Sequence, residues 1–313
     1  MPAIKRWTAN DLPELSGKVI LITGGNSGIG FQAAVEFARK HSSVVLGCRS
    51  VEKGRAAAAQ IMGACPQASV DVMELDLASL ESIRNFARSF LARHSKLHVL
   101  CNNAGVMALP YRRTADGFEM QFGTNHLGHF ALTGLLLEAL VRAEKARVVT
   151  VSSNAHRMGR IQFDDLQSER FYSKWLAYAQ SKLANLLFTF ELQRRAERAR
   201  VSLVSVACHP GYAATNLQAA GPRMRQLWML EAVMDFANRV FAQSAAMGAL
   251  PLLYAATAPE IVSGDYVGPD GFGEIRGYPR KVSCSSAARD PVSARRLWDI
   301  SEQLTGVRFS FTS

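Results

Sequence analysis

The sequence predicts an α/β fold in which a doubly wound parallel sheet is flanked by helices on both faces. Three observations predict it. Short apolar runs rich in Val, Ile and Leu alternate with segments of helical periodicity, as in parallel sheets buried on both sides. The first such run leads straight into a glycine-rich turn and a helix. No repeat, low-complexity tract or Pro/Gly/Ser-rich linker divides the 313 residues, so they read as a single domain.

Strands are expected at Lys18–Thr23, Val44–Cys48, Val70–Leu75, His98–Asn102, Val148–Ser152 and Val201–Ala207, each a short run dense in β-formers. Between them, apolar residues at helical spacing predict helices over Ile29–Lys40, Val51–Met62, Leu80–Arg93, Thr124–Leu140 and Leu176–Glu197. The pattern loosens after Gly211, then a helix over Ser244–Ala256 leads to a last strand near Gly264–Val267. Residues 1–17 form an N-terminal arm and 270–313 a C-terminal extension. Right-handed crossovers wind such strands outward from a switch point, and ligands bind beyond their carboxyl ends there.

Composition excludes several classes of function. With 48% hydrophobic and 20% charged residues, the chain can bury a large core. No apolar run reaches the ~18–20 residues of a membrane span, and Met1–Gly17 has no apolar stretch of the secretory kind. A cytoplasmic location is expected. The five cysteines are scattered without a Cys-x-x-Cys pair, and no histidines have metal-ligand spacing, so neither a disulfide framework nor a metal is expected. His126 and His129 read as packing beside a site. The net charge is +10, and seven arginines fall between Gln193 and Arg239 against three acids. No aromatic platform accompanies them, which argues for a solvated helix face and against nucleic acid.

The turn Thr23-Gly24-Gly25-Asn26-Ser27-Gly28-Ile29-Gly30 carries the first chemistry. Glycines at 24, 28 and 30 permit a tight turn, close approach of backbone to a pyrophosphate, and close helix–strand packing. The following helix N-terminus offers free N–H groups to phosphate. A Rossmann-type, dinucleotide-binding domain follows from that context.

Further motifs appear in order: Asn102-Asn103-Ala104-Gly105 after the fourth strand, Asn125 in a helix, Ser152-Ser153 ending the fifth strand, Tyr178-x-x-x-Lys182, and His209-Pro210-Gly211. With the T-G-x-x-x-G-x-G turn, this series resembles the short-chain dehydrogenase/reductase family from about residue 17 to 270. The 25-residue step from Ser153 to Tyr178, with Phe163-Asp164-Asp165-Leu166 and Trp175-Leu176-Ala177-Tyr178, is similar to the retinol dehydrogenase and protochlorophyllide reductase-like branch.

On a helix, Tyr178 and Lys182 share a face, with Leu183, Leu186, Leu187 and Phe190 forming an adjacent buried stripe. A lysine cation near the phenol, with the positive nicotinamide, is expected to draw the phenol's pKa from about 10 toward neutrality. Ser153 is placed to hydrogen-bond the substrate oxygen. The resemblance implies catalytic roles for Asn125, Ser153, Tyr178 and Lys182. It also implies that Lys182 grips the nicotinamide ribose and that Asn125 helps to hold a water-linked proton relay.

Arg49, at the end of the second strand, and Lys53 stand where a 2′-phosphate would be met, and no acid occurs before Glu52, so NADP(H) is expected over NAD. Cofactor contacts are then expected at Gly24, Asn26, Ser27, Gly28, Ile29, Gly30, Arg49, Lys53, Asp76, Leu77, Asn103, Ala104, Gly105, Tyr178, Lys182, Pro210, Gly211 and Thr215. The Asp76 contact, to adenine, rests on the resemblance.

Residues 213–246, with Met224, Leu227, Trp228, Leu230 and Met234, read as a segment that covers a lipophilic substrate. Core packing, a dimer contact and an interfacial membrane helix with Arg223, Arg225 and Arg239 are the alternatives. The expected activity is NADP(H)-dependent interconversion of a lipophilic aldehyde or ketone and its alcohol. Reduction of a carbon–carbon double bond and a non-catalytic NADP-binding sensor or scaffold are the alternative readings. The resemblance also implies a homodimer or homotetramer formed through the helices around 124–140 and 176–197.

Overall fold

The computed structural model describes residues 6–212 and 243–311. Among the described residues eight strands form one sheet: β1 Val19–Thr23, β2 Ser43–Cys48, β3 Ser69–Glu74, β4 Val99–Asn102, β5 Ala146–Val151, β6 Leu203–Cys208, β7 Tyr266–Pro269 and β8 Pro279–Lys281. Their order is β3-β2-β1-β4-β5-β6-β7-β8. The first seven run parallel, and β8 pairs antiparallel with β7. The order reverses between β1 and β4, which opens the ligand crevice at their carboxyl ends.

The two faces of the sheet follow from the two-residue period of a strand. Ile20, Ile22, Val44 and Leu46 pack under helices α1 (Gly28–Arg39) and α2 (Val51–Ala64). Leu21, Val45, Leu100 and Val148 face the opposite way, into a core shared with α3 (Leu80–Leu91). The strands are buried on both sides, so they read as unbroken apolar runs.

The segment expected as one helix over 124–140 is interrupted. A short helix α4 (Met120–Phe122) passes into a π-turn at Gly123–Leu127, then α5 (Gly128–Leu135), then a break at Leu136 before α6 (Leu137–Val141). The Gly128 amide reaches back to the Gly123 carbonyl, five residues earlier, which is the signature of one extra residue in the turn. Gly128 sits against the loop after β3, and a Cβ there would lie 2.5 Å from the Leu77 carbonyl oxygen. Close backbone contact therefore selects glycine at this point. The bulge presents Asn125.

Helix α7 (Lys174–Arg198) is buried at every position from Ala177 to Leu192. A helix covered all round is a core element. Its outer side is sealed by the C-terminal extension. After helix α8 (Ala245–Thr257), which packs with α1, the chain forms β7 and β8 and ends in α9 (Pro291–Thr305). Asp290 caps α9 by accepting from the Val292 and Ser293 amides at 3.1 Å each, and Gly306 closes it at φ 64°. Trp298 of α9 stacks on Phe188 of α7, with ring centroids 5.8 Å apart, and meets Phe130 of α5 at 5.0 Å. Arg195 lies over the same indole at 4.5 Å. Beyond α9, Val307 and Phe309 press on Gly134. The faces of α5 and α7 that meet α9 and residues 307–309 are thus covered by the chain's own C-terminus.

Candidate active site

At the carboxyl end of β1 the chain turns through Gly24, whose φ of 67° is in the left-handed region, and enters α1. A Cβ on Gly24 would lie 3.0 Å from that of Ala104, and one on Gly30 would lie 2.6 Å from Asn103 Nδ2. Only glycine lets this turn nest against the 103–105 segment. Ser27 occupies the N-cap of α1, yet its side chain makes no capping bond, so the first-turn amides remain available to an anion. Arg49 and Lys53 are exposed near the end of β2, and among the described residues no carboxylate pairs with either. Asp76 Oδ1 accepts from the Ala78 amide at 2.9 Å, which shapes the turn after β3. A cradle only glycine permits and free helix-end amides fit a dinucleotide's pyrophosphate, and two unpaired cations stand at the end of β2.

Thr23 and His129 tie this loop to the π-turn, a connection the motif spacing did not announce. The Thr23 hydroxyl accepts from the Asn103 and Ala104 amides, both at 2.9 Å, and lies 2.9 Å from His129 Nε2. His129 Nδ1 in turn lies 3.0 Å from the Asn125 carbonyl oxygen. Burial lowers the His129 pKa to about 4, so the ring is neutral at pH 7. It bridges the end of β1 and the π-turn as a fixed dipole.

Asn125 is fully buried and its side chain is occupied. Oδ1 accepts from the Val106 amide at 2.8 Å, while Nδ2 donates to the Val106 carbonyl and to Ser181 Oγ, each at 2.9 Å. These bonds clamp the 103–106 segment to α7. A relay water has the carbonyl oxygen of Asn125, beside the His129 bond, and the second lone pair of Oδ1 to use.

Ser153 follows β5 with extended backbone, and its hydroxyl accepts from the Ala155 amide at 3.2 Å. It reaches the Tyr178 phenol, which projects from α7. One turn further, Lys182 Nζ donates to the Val151 carbonyl at 3.1 Å and lies 5.7 Å from the Tyr178 ring centre. A Cβ on Gly105 would come within 3.5 Å of that ammonium, so the 103–105 segment and α7 converge there. The structure therefore brings together Ser153, Tyr178, Lys182, Asn125 and Gly105.

Without the nicotinamide, burial governs the phenol. Burial pushes Tyr178 up to about 12, and the Ser153 contact only partly opposes it. Burial also pulls Lys182 down to about 8. Desolvation of two enclosed groups outweighs their mutual influence. At pH 7 the pair is a neutral phenol beside a cationic amine.

Pro210 and Gly211 line the end of β6, where a Cβ on Gly211 would lie 2.3 Å from the Ile275 carbonyl oxygen. His209, at 0% exposure, lies 3.0 Å from Glu274 and holds that loop. Thr215 and the 213–242 part of the expected substrate cover lie outside the described residues. Among the described residues no group of His, Cys, Asp and Glu side chains could hold a metal.

Comparison with known proteins agrees with this arrangement. The model of the family described as short chain dehydrogenase matches residues 18–226. Human retinol dehydrogenase 11 is 45% identical over 296 residues, covering 94% of this chain and 87% of that protein. Human retinol dehydrogenase 12 is 43% identical, covering 98% and 94%. Among solved structures, an uncharacterised protein from Mycobacterium paratuberculosis superposes with a TM-score of 0.81 at 44% identity, covering 98% of this chain and 100% of that one. A short chain dehydrogenase of Escherichia coli in complex with NADPH gives 0.55 at 26% identity, covering 66% and 82%. The chain belongs to the short-chain dehydrogenase family, in its retinol dehydrogenase-like branch, and is an oxidoreductase of alcohols and carbonyls.

Proposed function

We propose that the protein interconverts a lipophilic aldehyde or ketone and its alcohol with NADP(H), using Tyr178 as the acid/base group. The observation that carries this reading is the convergence of Ser153, Tyr178 and Lys182 at the carboxyl ends of the strands, beside the glycine-rich turn. The described residues act in it as one catalytic unit.

Gly24, Asn26, Ser27, Gly28, Ile29 and Gly30 would hold the pyrophosphate, Arg49 and Lys53 the 2′-phosphate, and Asp76 and Leu77 the adenine. Asn103, Ala104, Gly105, Lys182, Pro210 and Gly211 would line the remainder. When bound, the dinucleotide supplies or takes up the hydride. Ser153 donates a hydrogen bond to the substrate oxygen and holds it against the phenol. A protonated Tyr178 donates its proton to that oxygen during reduction. The nearby Lys182 cation stabilises the phenolate this leaves. The neutral phenol of the free protein suits carbonyl reduction at pH 7.

Two observations support a lipophilic substrate. Trp175 and Leu176, just before Tyr178, and Met158, in the turn after Ser153, are exposed apolar side chains close in sequence to the reacting residues. The names of the two human relatives state an apolar alcohol, retinol, as their substrate. NADP(H) is supported by Arg49 and by the Escherichia coli complex with NADPH. No described helix is long and apolar enough to cross a membrane. Product analysis with a panel of long-chain aldehydes, ketones and enones, each with NADPH and NADH, tests the proposal. Alcohols formed with NADPH support it; saturated carbonyl products from enones alone, or no turnover of any member, contradict it.

A further inference from the structure

The turn that follows Ser153 is fastened to the C-terminal extension by three side chains. Asn154 Nδ2 donates to the Gly273 carbonyl at 3.2 Å, and Arg157 donates to the Ser283 carbonyl at 2.8 Å. The third is His156, at 0% exposure, with its ring edge-on to Tyr266 at 5.6 Å. Its Nδ1 lies 2.7 Å from the Ser153 carbonyl oxygen, and its Nε2 receives the Ser285 amide at 3.2 Å.

The proton on this ring is assigned by its neighbours. A backbone N–H can only donate, so Ser285 requires Nε2 to be the acceptor. The ring proton then sits on Nδ1 and points at the Ser153 carbonyl, which can only accept. The His156 amide donates to the same oxygen at 3.0 Å, so both lone pairs of that carbonyl are occupied. With the Ala155 amide on the hydroxyl at 3.2 Å, Ser153 is held at its peptide and at its side chain. Burial keeps the His156 pKa near 4, so the ring stays neutral around pH 7.

We infer that His156 is a positioning residue for the reaction, with the Ser285 amide fixing its tautomer so that Nδ1 aims Ser153 at the substrate oxygen. The C-terminal extension thereby takes part in aligning a residue more than a hundred positions away. The inference rests on the assignment of Ser153 above.

Three substitutions separate the parts. His156→Phe keeps the ring volume and removes both hydrogen bonds. His156→Asn restores a donor near the Nδ1 position, within reach of the Ser153 carbonyl. Ser285→Pro, at a backbone φ of −65° that proline adopts, removes the amide proton and the hydroxyl and sets the ring Cδ against His156 Nε2 in the proton's place. Misplacement of a reacting group by ~1 Å can cost about a hundred-fold in rate. We expect His156→Phe and Ser285→Pro to lower kcat by about ten- to a hundred-fold with the KM for NADPH unchanged, and His156→Asn to recover most of that loss. Imidazole nitrogen chemical shifts should show His156 protonated on Nδ1 in the native protein. An Nε2 proton in the native protein, or an unchanged kcat in both His156→Phe and Ser285→Pro, would overturn the inference. So would equal losses in His156→Phe and His156→Asn. If a variant does not fold, the tautomer of the native protein still decides. Ser153→Ala, run alongside, keeps the two claims apart: full turnover there removes the Ser153 assignment itself.

Discussion

The ammonium of Lys182 donates to the carbonyl of Val151 at 3.1 Å, so the charged end of a helix side chain is docked on the last residue of β5. That contact leaves two ammonium protons free and places the cation beside Tyr178 and Gly105. Lys182→Ala should therefore lower turnover and weaken NADPH binding together, read by steady-state kinetics and by fluorescence titration of NADPH. A change in neither would remove Lys182 from the site. Burial depresses its pKa to about 8, so kcat/KM should fall as the free protein loses this charge above that pH.

Arg49 gives a selectivity prediction. It is exposed at the end of β2 with no ion pair among the described residues. A charge-assisted bond to a 2′-phosphate contributes about 1.5–3 kcal/mol, which is about ten- to a hundred-fold in affinity. Arg49→Ala should raise the KM for NADPH by about that factor and leave NADH kinetics nearly unchanged. Equal weakening of both cofactors would make Arg49 a surface residue.

Stability should fall on mild acidification. His126, His129 and His156 are buried, and desolvation lowers their pKa values from 6.5 to about 3, 4 and 4. At pH 7.5 they are neutral folded and unfolded, and contribute nothing. Below 6.5 the unfolded chain takes up protons that the folded chain refuses, so stability drops progressively until the folded values are reached. At one pH unit below 6.5 the three together cost about 4 kcal/mol. Urea midpoints at pH 7.5 and 5.5 measure this; equal midpoints would show that the rings protonate without cost.

Helix α9 should be a stabilising cover. Trp298 is 2% exposed and touches Phe188, Phe130 and Phe309. Trp298→Ala should cost about 3–5 kcal/mol by chemical denaturation, as expected when a large aromatic leaves a packed core. A loss under about 1 kcal/mol would show that α9 does not seal α7.

The sheet and the reacting residues were legible because their signals are local. Val19–Thr23 and Ser43–Cys48 are dense β-formers, and Tyr178 and Lys182 need only helical spacing to meet. Less legible was whatever depends on packing between distant segments. The π-turn at Gly123–Leu127 arises where Gly128 meets Leu77, fifty-one positions earlier in sequence, and no periodicity encodes that. The burial that raises the Tyr178 pKa in the free protein was not legible, because sequence shows the neighbouring lysine but not its depth. α9 had a usable signal, Asp290-Pro291 at one end and Gly306 at the other. Its docking on α7 had none.

Turnover of Tyr178→Phe, measured beside NADPH binding to the same variant, tests the central claim most directly. The substitution keeps the buried ring and removes only the hydroxyl that faces Ser153. The account predicts that turnover is abolished while NADPH affinity stays near that of the native protein. Undiminished turnover would contradict the acid/base role of Tyr178.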